Sequence, residues 1–302
     1  MRLEQWCGAF CANSSKILRS PCFMLHVSRF MNILFFGDIF AQPGRSALRQ
    51  ILPSLKEKYK PDVILADVDN AAHGRGITAK ALQEVLDAGV DYVSAGNHAF
   101  DRDEAWALFE NEKLPLLRPA NFPSHFPGRG YALIQLRTQT LLFIHLLGRV
   151  SMRPEVNDPI ETVDKILAEY SLKEGNRGEG VSAIFIDWHT EVTSESQMLA
   201  WYLDGKVSAI LGTHTHVQTA DNRILPKGTA YMTDVGMVGP MNSVIGMDPQ
   251  LSIDHFRKAA PLRLEPAVGP VQVCGAFVEI DTLTGKATHI ERIFEVVEKP
   301  ET

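Results

Sequence analysis

At 302 residues, with 45% hydrophobic and 22% charged side chains, the chain has material for one sizeable core and one or two domains. A net charge of −6 and a pI near 5.9 exclude broad nucleic-acid or anionic-membrane binding through bulk electrostatics. Three of the four cysteines (Cys7, Cys11, Cys22) fall in the first thirty residues, leaving Cys274 in the body. That distribution excludes a disulfide framework and points to a reducing, cytoplasmic setting. No apolar run approaches the roughly 18 residues of a membrane span, so no membrane partner is expected.

Residues 1–30 differ from the rest. Arg2, Lys16, Arg19 and Arg29 face only Glu4, so the segment is +3, and it shows neither helical nor strand periodicity. It reads as a disordered or mis-annotated leader ahead of Met31, with residues 31–302 as a single domain.

From Asn32 the pattern becomes regular. Asn32–Phe36 is an apolar run of strand length, Gly37–Arg45 a loop, and Ser46–Tyr59 a helix with Leu48, Ile51, Leu52 and Leu55 on one face. Val63–Val68 is a second strand ended by Asp69-Asn70, followed by a helix over Thr78–Ala88. Tyr92–Ala95 is a third strand, closed by Gly96-Asn97-His98 and followed by a helix over Arg102–Asn111. Next come strands at Tyr131–Leu136 and Thr140–Leu147, a helix over Pro159–Leu172 and a loop at Glu174–Gly180. Val181–Ile186 then leads into Asp187-Trp188-His189. After a helix over Ser194–Leu203, the strand Val207–Leu211 runs into Gly212-Thr213-His214-Thr215-His216. Gly228–Thr233, Val271–Ile280 and Ala287–Val297 complete the strands. Polar residues at strand ends, and late strands without intervening helices, predict two packed mixed sheets flanked by helices: a four-layer α/β sandwich.

The chemistry collects at the strand ends. His214 and His216 alternate on an extended segment, which would turn both toward one point beyond the sheet edge. With Asp38, Asp69, Asn70, Asn97 and His189 they make a mixed oxygen and nitrogen donor set, suited to Mn, Fe or Zn rather than to Mg or Ca. Seven candidates exceed the needs of one ion. A binuclear site with a bridging carboxylate and a bridging hydroxide, its ions about 3.5–4 Å apart, would use them all. No Gly-x-x-x-x-Gly-Lys-Ser/Thr loop and no Gly-x-Ser-x-Gly elbow occurs. Of the remaining histidines, His145 alone lies inside an apolar run.

The ordered set Gly37-Asp38, Asp69-Asn70, Gly96-Asn97-His98, His189 and Gly212 to His216 resembles the calcineurin-like metallophosphoesterases. Gly37-Asp38-Ile39 with Pro43-Gly44-Arg45, Asn70-Ala71-Ala72 with Gly76-Ile77-Thr78, Thr213 to Asp221, Thr233 to Met237 and Ser243 to Met247 bring it closer to the YmdB-like bacterial phosphodiesterases, from Asn32 to Val297. The resemblance implies a metallophosphoesterase-like sandwich, a di-metal centre of iron or manganese, and hydrolysis of 2′,3′- or 3′,5′-cyclic nucleotides. The partner is then a small phosphodiester rather than a stably bound nucleic acid, and a homo-oligomer is compatible with the chain. The resemblance also implies one metal on Asp38, Asn70 and His216, the other on Asn97, His189 and His214, and Asp69 between them. Phe40 stands where the wider superfamily has a histidine, and Asp69 where the YmdB-like branch usually has Glu. His73 replaces a small residue near the mouth of the site. His98, beside a ligand but outside the metal sphere, is placed to donate a proton to the leaving oxygen or to stabilise charge on phosphorus. Arg45, read as a helix start after Gly44, is a candidate phosphate contact. A phosphomonoesterase or phosphoprotein phosphatase on the same metals, and a non-catalytic nucleotide-binding regulator, are the competing readings.

Overall fold

The computed structural model describes residues 29–172, 180–258 and 263–300. Most of the expected leader and of the Glu174–Gly180 loop lies outside them. The folded chain takes in the leader's last two residues. Arg29 pairs with Asp281 at 2.6 Å, and the first strand opens at Phe30.

One sheet contains β1 (Phe30–Phe36), β2 (Val63–Asp67), β3 (Tyr92–Ser94), β4 (Leu116–Leu117), β11 (Val238–Pro240), β12 (Val271–Asp281) and β13 (Lys286–Val297). β1 to β4 run parallel, and β12 closes on β1 antiparallel, from Phe30 opposite Asp281 to Phe36 opposite Gly275. The second sheet contains β5 (Tyr131–Leu136), β6 (Gln139–Leu147), β7 (Ala183–His189), β8 (Ala209–Thr213), β9 (Arg223–Ile224) and β10 (Ala230–Met232), in the order β5-β6-β7-β8-β10-β9. Its central four strands are parallel.

The side-chain period of two makes the layers. On β1, Met31, Ile33 and Phe35 enter the core between the sheets, where they meet Phe143 of β6 and Phe185 of β7. Leu34 and Phe36 point the other way, under α1 (Ala41–Tyr59), α2 (Ala79–Asp87) and α3 (Asp103–Glu110). The outer face of the second sheet is covered by α4 (Pro159–Glu169) and α5 (Thr193–Leu203) through Val163, Ile166, Leu199 and Leu203. Helix, sheet, sheet, helix is the expected four-layer sandwich. Each fully buried Leu, Ile or Phe contributes about 1.5–3 kcal/mol, so three clusters of this size dominate the stability.

Three departures bear on the site. α1 begins at Ala41, five residues early, because Pro43 falls in the first turn, where its missing N–H costs nothing. β7 runs on through Asp187 to His189, and β8 through Thr213. An unanticipated α6 (Pro249–Lys258) and the short β4, β9 and β11 have apolar runs too brief to carry a period.

Candidate metal centre

All of the candidate ligands stand at the C-terminal ends of parallel strands. Asp38 follows β1, Asp69 and Asn70 follow β2, Asn97 follows β3, His189 ends β7, and His214 and His216 follow β8. A parallel sheet aligns those ends along one edge, and facing sheets bring two such edges together.

The structure gathers the candidates into two groups. In the first, His216 Nε2 lies 3.2 Å from Asn70 Oδ1 and 3.8 Å from Asp38 Oδ1. In the second, His189 Nε2 lies 2.9 Å from Asn97 Oδ1, 3.1 Å from His214 Nδ1 and 3.6 Å from Asp69 Oδ2. Asp69 also accepts the backbone N–H of His98 at 2.9 Å. Gly96 and Gly212 make the approach feasible: a Cβ on Gly96 would lie 2.5 Å from the His189 ring, and one on Gly212 would collide with the Thr233 carbonyl.

Each imidazole is tethered on its outward side. His216 Nδ1 donates to the Ile245 carbonyl at 2.9 Å, His214 Nε2 faces Glu191 at 3.0 Å, and His189 Nδ1 faces Thr213 Oγ1 at 2.9 Å. The nitrogens turned inward are thereby left with lone pairs, the arrangement of metal-binding histidines. Burial drives the pKa of His189 far down and lowers that of His214, so both are neutral and free to donate electrons at pH 7.

His214 and His216 are not on an extended segment. Their φ angles are +105° and +66°, so alternation along a strand does not aim them. Such values cost about 1–3 kcal/mol each for a non-glycine residue and persist only where the surroundings over-determine them. Asp234 does this, accepting from Thr215 N at 2.9 Å, Thr215 Oγ1 at 2.8 Å and Gly236 N at 2.7 Å, while Asp38 accepts from His214 N at 3.0 Å. Phe40 fills the superfamily's histidine position with an edge-on contact to the His216 ring, centroids 5.8 Å apart. His73 occupies a left-handed turn at φ +56° and is exposed.

Sequence reasoning overlooked Asp67. It is fully buried, two residues before Asp69, and with Asp38 and His189 forms a tight group able to hold a cation. The signal was available, since on a strand Asp67 shares a face with Asp69. Asp38 Oδ1 and Asp67 Oδ2 are both buried without a hydrogen-bond partner, the signature of carboxylates awaiting a cation. Arg45 is a correction. It lies beyond the first turn of α1, and its guanidinium is committed to Glu84 at 2.6 Å and to the Ala71 carbonyl, so a phosphate role is not carried forward. Cys274 is buried and its thiol pushed up to about 12, which excludes it as a nucleophile at neutral pH.

A sequence profile of the family described as YmdB-like protein matches residues 34–293. The chain belongs to the YmdB-like family. It is 44% identical over 264 residues to the 2′,3′-cyclic-nucleotide 2′-phosphodiesterase of Bacillus subtilis, covering 87% of this chain and 96% of that one. A crystal structure of a hypothetical protein from Thermus thermophilus superposes with a TM-score of 0.80 at 37% identity, over 89% of this chain and all of the other. A novel phosphatase from Mycoplasma pneumoniae gives 0.82 at 32% identity, over 90% and 95%. Membership in the YmdB-like family thus rests on nearly the whole length.

The buried charges set a pH test. Burial, reinforced by Asp38, holds Asp67, Asp69 and Asp234 well above the usual carboxylate range. Above about pH 4 the unfolded carboxyls have lost their protons while the native ones keep them, so metal-free stability falls as pH rises through the native values. The depressed histidines act oppositely below about pH 6.5, where the unfolded imidazoles bind protons and the native ones do not. Between about pH 4 and 6.5 the three carboxyls outweigh the two imidazoles, so the melting temperature of chelator-treated protein should fall gently as pH rises and more steeply above about pH 6.5, where the histidines no longer offset them. Saturating Mn²⁺ should abolish the alkaline decline. An alkaline limb unchanged by metal would show that no cation engages these carboxylates.

Proposed function

We propose that this protein is a metal-dependent phosphodiesterase that hydrolyses cyclic nucleotides, 2′,3′-cyclic nucleotides foremost. One observation carries the reading: three imidazoles, each tethered outward, present inward nitrogens to buried Asp and Asn oxygens in two adjoining groups. This donor set suits two ions of the Mn, Fe or Zn kind. Asp38, Asn70 and His216 would hold one and Asn97, His189 and His214 the other, with Asp69 shared. When bound, such ions supply positive charge for the phosphoryl oxygens and lower the pKa of the attacking water. The near full-length similarity to a 2′,3′-cyclic-nucleotide 2′-phosphodiesterase supports the substrate class.

The chain's own residues do the rest. His98 is oriented by Asp101, 2.6 Å from its Nδ1, and Asp101 is fixed by Arg75 at 2.6 Å. Asn97 Nδ2 lies 3.3 Å from His98 Nε2 while Asn97 Oδ1 faces His189, so one amide places both rings. An amide nitrogen only donates, so Nε2 accepts from Asn97 here, and it would pass a proton to the leaving oxygen from the imidazolium, whose Nδ1–H Asp101 accepts. A cavity of about 850 Å³ adjoins His216, bordered by Met237, Met241, Ile245, Gln272 and Phe294, and is large enough for a nucleoside.

The test is substrate preference. Protein loaded with Mn²⁺ should cleave 2′,3′-cyclic AMP, releasing the nucleoside 3′-phosphate, and should favour diesters over monoesters in kcat/KM by about tenfold or more. Equal or reversed rates on p-nitrophenyl phosphate and its bis ester would move the assignment to a phosphomonoesterase. Metal binding without turnover of either would favour a regulator.

A further inference from the structure

We infer that Thr213 and Asp187 form a buried relay that fixes the proton of His189 on Nδ1 and so reserves Nε2 for the ligand cluster. The inference rests on the metal-centre reading above and concerns two positioning residues outside the proposed ligand set.

Hydrogen-bond accounting decides the direction. Asp187, an acceptor, takes Thr213 Oγ1–H at 2.8 Å on Oδ1. Asp187 Oδ2 takes Ser94 Oγ–H at 2.5 Å and faces His145 Nδ1 at 2.9 Å. A threonine hydroxyl has a single proton. With that proton given to Asp187, Thr213 Oγ1 can only accept from His189 Nδ1, 2.9 Å away. The other oxygens near Nδ1, Asp67 Oδ2 at 3.4 Å and Asp38 Oδ1 at 4.0 Å, make no hydrogen bond to it, so Thr213 Oγ1 is its partner. The opposite nitrogen, Nε2, meets Asn97, His214 and Asp69.

The fold sets this relay deep. His189 and Thr213 are cross-strand partners between β7 and β8, and His145 and Asp187 between β6 and β7. Ser94 reaches Asp187 from the opposite sheet, so both layers fix the carboxylate. Asp187, His145, His189, Thr213 and Ser94 are all fully buried, which leaves no water to substitute for a missing partner.

The decisive measurement needs no variant. In protein uniformly labelled with ¹⁵N, long-range imidazole spectra should show His189 as the neutral Nδ1–H tautomer, in the metal-free state and with diamagnetic Zn²⁺ bound. An Nε2–H tautomer or an imidazolium in the metal-free protein would overturn the relay. In parallel, Thr213→Val should weaken Mn²⁺ binding about 10–100-fold in a chelator competition, the usual effect of removing a partner behind a metal-binding histidine. Its kcat should recover at saturating metal, and Thr213→Ser should restore affinity. Valine binding metal as tightly as the wild type, or serine failing as valine does, also counts against the relay; if the valine variant does not fold, the tautomer spectrum decides. Wild-type protein that binds no metal would instead overturn the metal reading, with the tautomer signal still deciding the relay.

Discussion

Replacing His189 with alanine is expected to cut activity at limiting Mn²⁺ by on the order of 10³-fold, since lost metal charge stabilisation amounts to several kcal/mol and each 1.4 kcal/mol is a decade in rate. His189 Nε2 is the atom around which Asn97, His214 and Asp69 converge. Its removal takes one donor from a buried site and leaves the neighbouring carboxylates with less compensating charge. Elemental analysis should give two ions per wild-type chain and fewer in the variant, and excess metal should return part of the rate. Two ions per variant chain together with full activity would place His189 outside the centre. The same measurement on His214→Ala and His216→Ala separates the two groups of ligands. Each should preferentially empty its own group, because each ring is tethered by a different element: Glu191 for His214 and the Ile245 carbonyl for His216.

His98→Ala should behave differently, leaving both ions bound and lowering kcat by about 10²–10⁴-fold, the range for loss of a general acid. His98 is only partly buried, is held by Asp101, and turns toward Asn97 rather than toward a carboxylate of the ligand groups. Burial lowers its pKa against the pull of Asp101, so an imidazolium formed there gives up its proton readily. The defect should be large for a ribose leaving group and small for p-nitrophenolate, which departs without a proton. A variant that loses metal, or that slows both leaving groups alike, would move His98 into the metal sphere or out of proton transfer. Asp101→Asn should show a weaker version of the same leaving-group dependence, since it disturbs the orientation of the ring and not its presence.

The strand ends were legible in the sequence because burial on both faces of a parallel sheet writes itself as a short apolar run, and a run that stops at Asp, Asn or His marks an edge. Asp38, Asp69, Asn70, Asn97, His98 and His189 were singled out as candidates in that way, and the four-layer architecture followed from the order of the runs. Arg45 was misread because its helix begins earlier than its apolar period, so the residue is inside α1 and tied to Glu84. His214 and His216 do reach the cluster, but not for the reason the sequence suggested. Local sequence describes an extended segment there, whereas Asp38 and Asp234, supplied from distant strand ends, hold the loop at positive φ.

What the sequence determined by itself was the set of candidate donors and the layers that carry them, because side-chain type and hydrophobic period are local properties. What only the tertiary structure decided was which nitrogen of each histidine faces inward. It also decided that Asp67 and Asp187 lie beside the candidate ligands and that the Arg45 guanidinium is committed to Glu84 and the Ala71 carbonyl. Those outcomes depend on hydrogen bonds between residues far apart in the chain, such as Ser94 with Asp187 and His214 with Asp38, whose energies exist only once the two sheets have met.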